Sequence, residues 1–203
     1  MTTIRAHATN YTIGRTKPID RIVVHYTAGN NDTAENNGNY FAKPNREASA
    51  HYFVDENSVV QSVQDKDTAY HAGNWEMNCR SIGVEMCSKK DANGAYYIDP
   101  KTINNAQYLI KQLMKKYGIP SPGVIRHYDV NGKHCPAPLI EQDAWDKFRA
   151  GLVENVKVEQ SAEWAQASWQ KAANKGVLDG TRPLDAITRQ EIAVIIDRLG
   201  LLD

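Results

Sequence analysis

Neither sign of charge is in excess in this chain. Across 203 residues, 24 lysines and arginines meet 24 aspartates and glutamates. A chain without a basic surplus carries no electrostatic footprint for a polyanion, so nucleic acid is not expected as a partner. Cysteine is scarce: Cys79, Cys87 and Cys135 are all there is. An odd, sparse set argues against a disulfide framework. No apolar run approaches the ~18 residues of a spanning helix, so no membrane segment is expected. The opening "MTTIRAHATNYTIGR" lacks the apolar stretch of a secretory signal. The expectation is synthesis in the cytoplasm, with separate release if the target lies outside. At 41% hydrophobic and 24% charged, the chain reads as an ordinary globular protein. Its length suits one domain of ~150 residues plus a small module.

What is present is unevenly placed. The six histidines and three cysteines all precede residue 136, which suggests a chemical domain followed by a non-chemical one. We expect a first domain over residues 1–152, a linker over 153–161 and a helical module over 162–203. "RIVVHY" (21–26) is a β-branched run expected as a buried strand. "NDTAENNGNYFAK" reads as a helix with Asn31 or Asp32 near its cap. "AHYFVDENSVVQSV" reads as two strands about a turn at Glu56-Asn57-Ser58. "SIGVEMC" (81–87) is another strand. In "DPKTINNAQYLIKQLMKKYG", Asp99 caps a helix and Pro100 opens it. Ile103, Leu109, Ile110, Leu113, Met114 and Tyr117 mark its apolar face, and Gly118 ends it. "QDAWDKFRAGLV" reads as a shorter helix. Strands with covering helices give an α/β (α+β) domain. In the tail, "EWAQASWQKAANKG" groups Trp164, Ala165, Trp169, Ala172 and Ala173 on one side of a helix. Thr188 and Glu191 form a capping box for a second helix. So small a module usually needs a partner surface or sister copies.

The chemistry concentrates in "RHYDVNGKHCPAP" (126–138). Imidazole and thiolate are preferred zinc ligands. The spacing from His127 to Cys135, with Asn131-Gly132 between, allows a hairpin-like loop that points both at one ion. His25 is the candidate third ligand, since it ends an apolar strand where a side chain can reach a site at the sheet's edge. Three protein ligands leave the fourth position for water. The same residues also read as a hydrogen-bonded core histidine and a small buried thiol. Glu85 lies in an apolar strand, which is costly for a carboxylate unless it is paired or working. Ile82, Val84 and Met86 share one face of that strand; Gly83, Glu85 and Cys87 share the other. Desolvation would raise the pKa of Glu85 and suit a general base. It also reads as a salt-bridged carboxylate at a sheet edge. Lys133, two residues before Cys135, could stabilise an oxyanion or simply be a solvated loop lysine.

Five blocks, "VVHYTAG", "ASAHYFVD", "AYHAG", "SIGVEMC" and "RHYDVNGKHCPAP", together resemble the zinc-dependent N-acetylmuramoyl-L-alanine amidases. That family is related to the peptidoglycan-recognition proteins and includes many phage endolysins. The resemblance covers roughly residues 15 to 152. It implies a central mixed sheet flanked by helices, with a zinc groove on one face. It implies His25, His127 and Cys135 as ligands of Zn2+, with the cysteine favoured over His134. Glu85 and Lys133 take the catalytic positions; His71 and Trp75 take the substrate groove. Some relatives have a tyrosine where Ala50 stands, which makes Glu85 the base. The implied reaction is hydrolysis of the amide between N-acetylmuramic acid and L-alanine in peptidoglycan, as in a phage or prophage endolysin released through a holin. A host autolysin, a muropeptide-recycling amidase and a non-catalytic peptidoglycan-binding protein are the alternatives. The tail, with "GVLDG" and "ITRQE", resembles one S-layer homology repeat, although the aromatic–aspartate opening is missing. It implies binding to a secondary cell-wall polymer, or self-association into a homo-oligomer.

Overall fold

The computed structural model describes residues 1–152, 165–178, 187 and 189–202. The chain divides into two compact units, Met1–Val153 and Glu154–Asp203. The first unit opens with β1 (Thr2–Thr3), β2 (Tyr11–Thr12), β3 (Arg21–Tyr26) and α1 (Ala34–Phe41). Next come β4 (Tyr52–Val54), β5 (Val59–Gln61), β6 (Thr68–Ala69), α2 (Trp75–Arg80) and β7 (Ser81–Met86). It closes with β8 (Lys89–Lys90), β9 (Tyr96–Tyr97), α3 (Pro100–Tyr117), β10 (Val124–Arg126), α4 (His127–Asn131) and α5 (Gln142–Ala150).

Six strands form the main sheet in the order β1-β5-β4-β7-β3-β10. β4, β7, β3 and β10 run parallel, β1 runs parallel to β5, and β4 and β5 form an antiparallel pair. Two short ribbons, β2–β6 and β8–β9, lie outside it. The mixed α/β architecture is the one expected from the sequence.

Side-chain alternation gives the sheet two unlike faces. Ile22 and Val24 of β3, Tyr52 and Val54 of β4, and Ile82, Val84 and Met86 of β7 enter the main apolar core. That face is covered by α3, through Ala106, Ile110 and Leu113, and by α5, through Trp145 and Phe148. Burying seven such residues removes enough apolar surface to stabilise the layer at ~25 cal/mol per Å². The opposite face carries Phe53 in a second cluster with Ala34, Ala50, Val60 and Cys87. It also carries the histidines and Glu85.

Local chemistry explains the boundaries. α3 starts at Asp99, whose carboxylate accepts from the Lys101 N–H at 2.9 Å, and ends at Gly118 in the left-handed conformation, φ 64°. α1 is capped by Thr33, not by Asn31 or Asp32. Thr33 Oγ accepts from the Asn36 N–H, and Asn36 returns a bond to the Thr33 N–H. Asp32 is drawn away to the Ser88 N–H and the Asn37 amide. The β4–β5 turn is held by Asp55. Its carboxylate accepts from the N–H groups of Asn57 and Ser58 and from the first residue of α1, Ala34. All three cysteines are buried and free.

The second unit is described through α6 (Gln166–Asn174) and α7 (Arg189–Arg198). Gly176 follows α6 with φ 68°. Arg198, ending α7, donates to the carbonyls of Gly176 and Val177, each at 3.2 Å. The expected linker over 153–161, together with Trp164 and Thr188, lies outside the described residues. Among the described residues, no helix is long and apolar enough to cross a membrane.

His51 is the clearest structural histidine. It is fully buried, and its Nδ1 accepts from the Gly83 N–H at 2.9 Å. Its Nε2 lies 2.6 Å from the Arg15 guanidinium and 3.2 Å from the Asp67 carbonyl. Burial, then the Arg15 charge, pushes its pKa down to about 3. A histidine that stays neutral in the fold but protonates near 6.5 when unfolded stabilises the fold fully above that value. The contribution is lost as pH falls from there toward 3. The urea midpoint of the chelator-treated chain should therefore drop between about pH 6.5 and pH 5. His51→Asn should show a shallower pH slope, and an equal slope would remove His51 as a cause.

Candidate metal centre and cleft

Three parallel strand ends meet at the site. β3 lies between β7 and β10, so His25 of β3 is paired in register with Glu85 of β7. Arg126 ends β10 opposite Val24, and His127 follows it at once. The site therefore opens over one face at the carboxyl ends of the inner strands β7 and β3 and of the edge strand β10. In that strand order β4 and β10 flank the β3–β7 pair, so His25 and Glu85 stand on inner strands and His127 joins them from the edge.

The His127–Cys135 segment also differs from the expected hairpin-like loop. It begins as the short helix α4. Asp129 accepts from the Arg126 N–H at 2.8 Å and from its guanidinium, which closes the first turn. Gly132 stops the helix at φ 77°, a conformation that costs a residue with a Cβ. The chain then returns, and the Tyr128 N–H donates to the Cys135 carbonyl at 2.8 Å. One helical turn and a glycine cap thus bring Cys135 back beside His127.

The donors converge. His25 Nδ1 is 3.0 Å from His127 Nδ1 and 3.7 Å from Cys135 Sγ. The three donor atoms all lie within 4.8 Å of one another, and all three residues are buried. This group could hold a metal ion, and two imidazoles with one thiol form a set that zinc prefers. His134 is exposed and lies outside the group. Burial, then His71, His127 and Lys133, holds His25 well below the usual histidine range, so it stays neutral, the ligating form. Burial, with Lys133 next, also lowers His127. Burial, then Glu85, pushes the Cys135 thiol up to about 12. That thiol does not ionise unaided at neutral pH, which argues against a free nucleophile and suits a ligand that loses its proton to a cation.

Glu85 is the orphan of the site. Its Oε2 is sealed from solvent with no hydrogen-bond partner. Burial pushes its pKa up to about 8, against the pull of Lys133 and helped by Asp32. Gly83 and Ser81 share its face of β7. Lys133 is exposed and lines the cleft with His25, Glu85, His127 and Cys135. The cleft measures about 260 Å³.

His71 also lines this cleft, but it is only 8% exposed and its ring is hydrogen-bonded to other side chains. Trp75 is 54% exposed at the start of α2, its ring tilted against Tyr70. Tyr70 joins the wall with Thr27, Ala28, Phe41, Ala48 and Ser49. Sequence reasoning missed these six, because they come from loops and from the end of α1, which only the fold gathers. Ala28 has φ 53°, unusual for a residue with a side chain, and was the one local signal a backbone map could have given.

Comparison with known proteins gives a consistent result. The family model described as N-acetylmuramoyl-L-alanine amidase matches residues 15–138. The chain is 38% identical over 133 residues to a probable N-acetylmuramoyl-L-alanine amidase of Bacillus licheniformis, covering 59% of this chain and 36% of that protein. It is 36% identical over 138 residues to the amidase CwlL of the same organism, covering 61% and 37%. A solved mutant endolysin from Bacillus subtilis superposes with a TM-score of 0.64 at 32% identity, covering 74% of this chain and 97% of that one. The chain thus spans little more than a third of the length of these curated relatives.

The orphaned carboxylate has a thermodynamic signature. Its folded pKa of about 8 lies above its ordinary 4.5, so the native state holds a proton that the unfolded chain releases. Stability of the metal-free chain then falls as pH rises through that interval. Above about pH 7.5 the unfolded chain's histidines are also almost wholly neutral, and the buried histidines contribute little slope. Calorimetry from about pH 7.5 to 8.5 should show the melting temperature falling, and Glu85→Gln should make that fall shallower, leaving the part due to the buried thiols. A Glu85→Gln profile parallel to the parent's would place the titrating group elsewhere.

Proposed function

The chain belongs to the N-acetylmuramoyl-L-alanine amidase family, and from that premise we propose that it hydrolyses the amide joining N-acetylmuramic acid to L-alanine in peptidoglycan. The observation that carries the reading is the convergence of three buried donors beside a partnerless carboxylate in one cleft. His25, His127 and Cys135 would hold zinc. When bound, zinc supplies a Lewis acid that polarises a carbonyl and lowers the pKa of water toward ~7.

The chain's own groups divide the remaining work. Glu85 takes the proton of the attacking water, and its raised pKa lets it keep that proton until needed. The carbon–nitrogen bond then breaks, and Glu85 returns the proton to the departing amine of alanine. Products are a lactyl carboxylate and a free N-terminal alanine. Lys133, a fixed cation on the cleft wall, stabilises the oxyanion that forms in between. Trp75 and Tyr70 offer flat apolar surface to the substrate beside the reacting centre, with His71 behind. Cys135 serves as a ligand.

The biological setting belongs to the same proposal. Likeness to an endolysin supports action on the cell wall after holin-dependent release, in a phage or prophage context. The second unit is proposed to bind a secondary cell-wall polymer or to pair with copies of itself.

Purified chain on Gram-positive walls should release new N-terminal alanine and no new reducing sugar ends. The activity should vanish with chelator and return with zinc. New reducing ends would overturn the amidase reading. Lys133→Ala should lower kcat by about 10²–10³ with a smaller change in KM, measured on a soluble muropeptide. A chain ending at Leu152 should keep that soluble activity but sediment less with walls. Equal sedimentation would end the anchoring role of the second unit.

A further inference from the structure

His71 lies edge-on to His25, with ring centroids 5.2 Å apart. Its two nitrogens have separate partners. Nδ1 is 3.0 Å from His25 Nε2, and Nε2 is 3.2 Å from Ser81 Oγ. The Ser81 hydroxyl has one proton, which it donates to the Met77 carbonyl 2.5 Å away. Its oxygen is therefore left to accept from His71. That puts the His71 proton on Nε2 and leaves Nδ1 bare. A bare Nδ1 only accepts, so the proton of His25 resides on Nε2. The lone pair of His25 Nδ1 is thus turned toward His127 Nδ1 and Cys135 Sγ.

We propose that His71 is a positioning residue that, with Ser81, sets the tautomer of His25 so that Nδ1 is ready for a divalent metal before the metal arrives. The inference rests on the reading of His25 as a zinc ligand.

Two further observations support it. A Cβ at Gly83 would come within 2.6 Å of His71 Cγ, so the strand beside His71 is bare where the ring needs room. Both rings are almost wholly enclosed, His25 at 1% and His71 at 8% exposure, and with one proton on each neutral ring the relay of hydrogen bonds has one solution. Ligating histidines usually hand their second N–H to a carboxylate, carbonyl or water. A neutral imidazole in that place fixes orientation without adding negative charge beside the cation. Electrophilicity at the metal is preserved.

The test has two arms on the full chain. Long-range 1H–15N NMR of the metal-free, histidine-labelled protein should report His25 and His71 as Nε2–H tautomers. Ser81→Ala should convert both to mixtures. Finding His25 as Nδ1–H in the unaltered chain would overturn the relay. In the second arm, zinc affinity is measured by competition with a chromophoric chelator. His71→Leu should weaken binding about 10–100-fold, and His71→Asn, which keeps an acceptor near Nδ1, should recover most of it. Equal affinity of His71→Leu and the parent would overturn the positioning role. Absence of zinc binding by the unaltered chain would overturn the metal reading itself, while the NMR arm still judges the relay alone.

Discussion

Everything at the site depends on the parallel pairing of β3 with β7. Its register sets His25 opposite Glu85 and Val23 opposite Gly83. Because side chains alternate, the same pairing sends Ile22, Val24, Ile82, Val84 and Met86 to the covered face. A slip of one residue would bury the chemistry among aliphatic side chains and expose the core. The hydrophobic effect on one face therefore enforces the geometry on the other. Specificity of register, enforced by the apolar core, is converted into the placement of two functional groups.

The chemical face is costly ground. It holds His25, His51 and His71 almost without solvent, where an unmet polar group costs about 1–3 kcal/mol. The fold meets most of that cost with directed hydrogen bonds. His51 is tied to the Gly83 amide, His71 to Ser81, and Ser81 to Met77. Along β7, Ser81, Gly83 and Glu85 occupy alternate positions of one face. The first anchors a histidine, the second makes room for it, and the third is left without a partner. Among these groups the exception is the one to which reactivity is assigned, as expected where a fold concentrates its imbalance at a functional point.

Long, strongly patterned elements were legible in the sequence. α3 announced both its ends through Asp99, Pro100 and Gly118, and β3 and β7 announced themselves through β-branched runs. The two faces of β7 followed from alternation alone. Short elements were not legible: β10, α2 and the two ribbons are too brief for any period to register. The cluster of His25, His127 and Cys135 was proposed from residue type and spacing, but the path between the last two was misread. A helical turn needed Asp129 as its closing acceptor, and that reads from sequence as an ordinary loop carboxylate. For His71, motif likeness implies a place in the substrate groove. Its bonds to His25 and Ser81 arise where β7 passes a loop, and no spacing rule encodes such a crossing. Likewise Thr33, next to the residues expected near the cap of α1, takes the cap while the Asp32 carboxylate accepts from the Asn37 amide and the Ser88 N–H.

The three cysteines have a consequence for where this molecule can be sent. None is bridged and each is shielded from solvent. Thiol exchange requires an accessible thiolate; here the thiols of Cys87 and Cys135 are held protonated by burial. The first unit is consequently free of any covalent cross-link that reducing surroundings could break. No disulfide holds the first unit together, so its folding calls for no oxidative step.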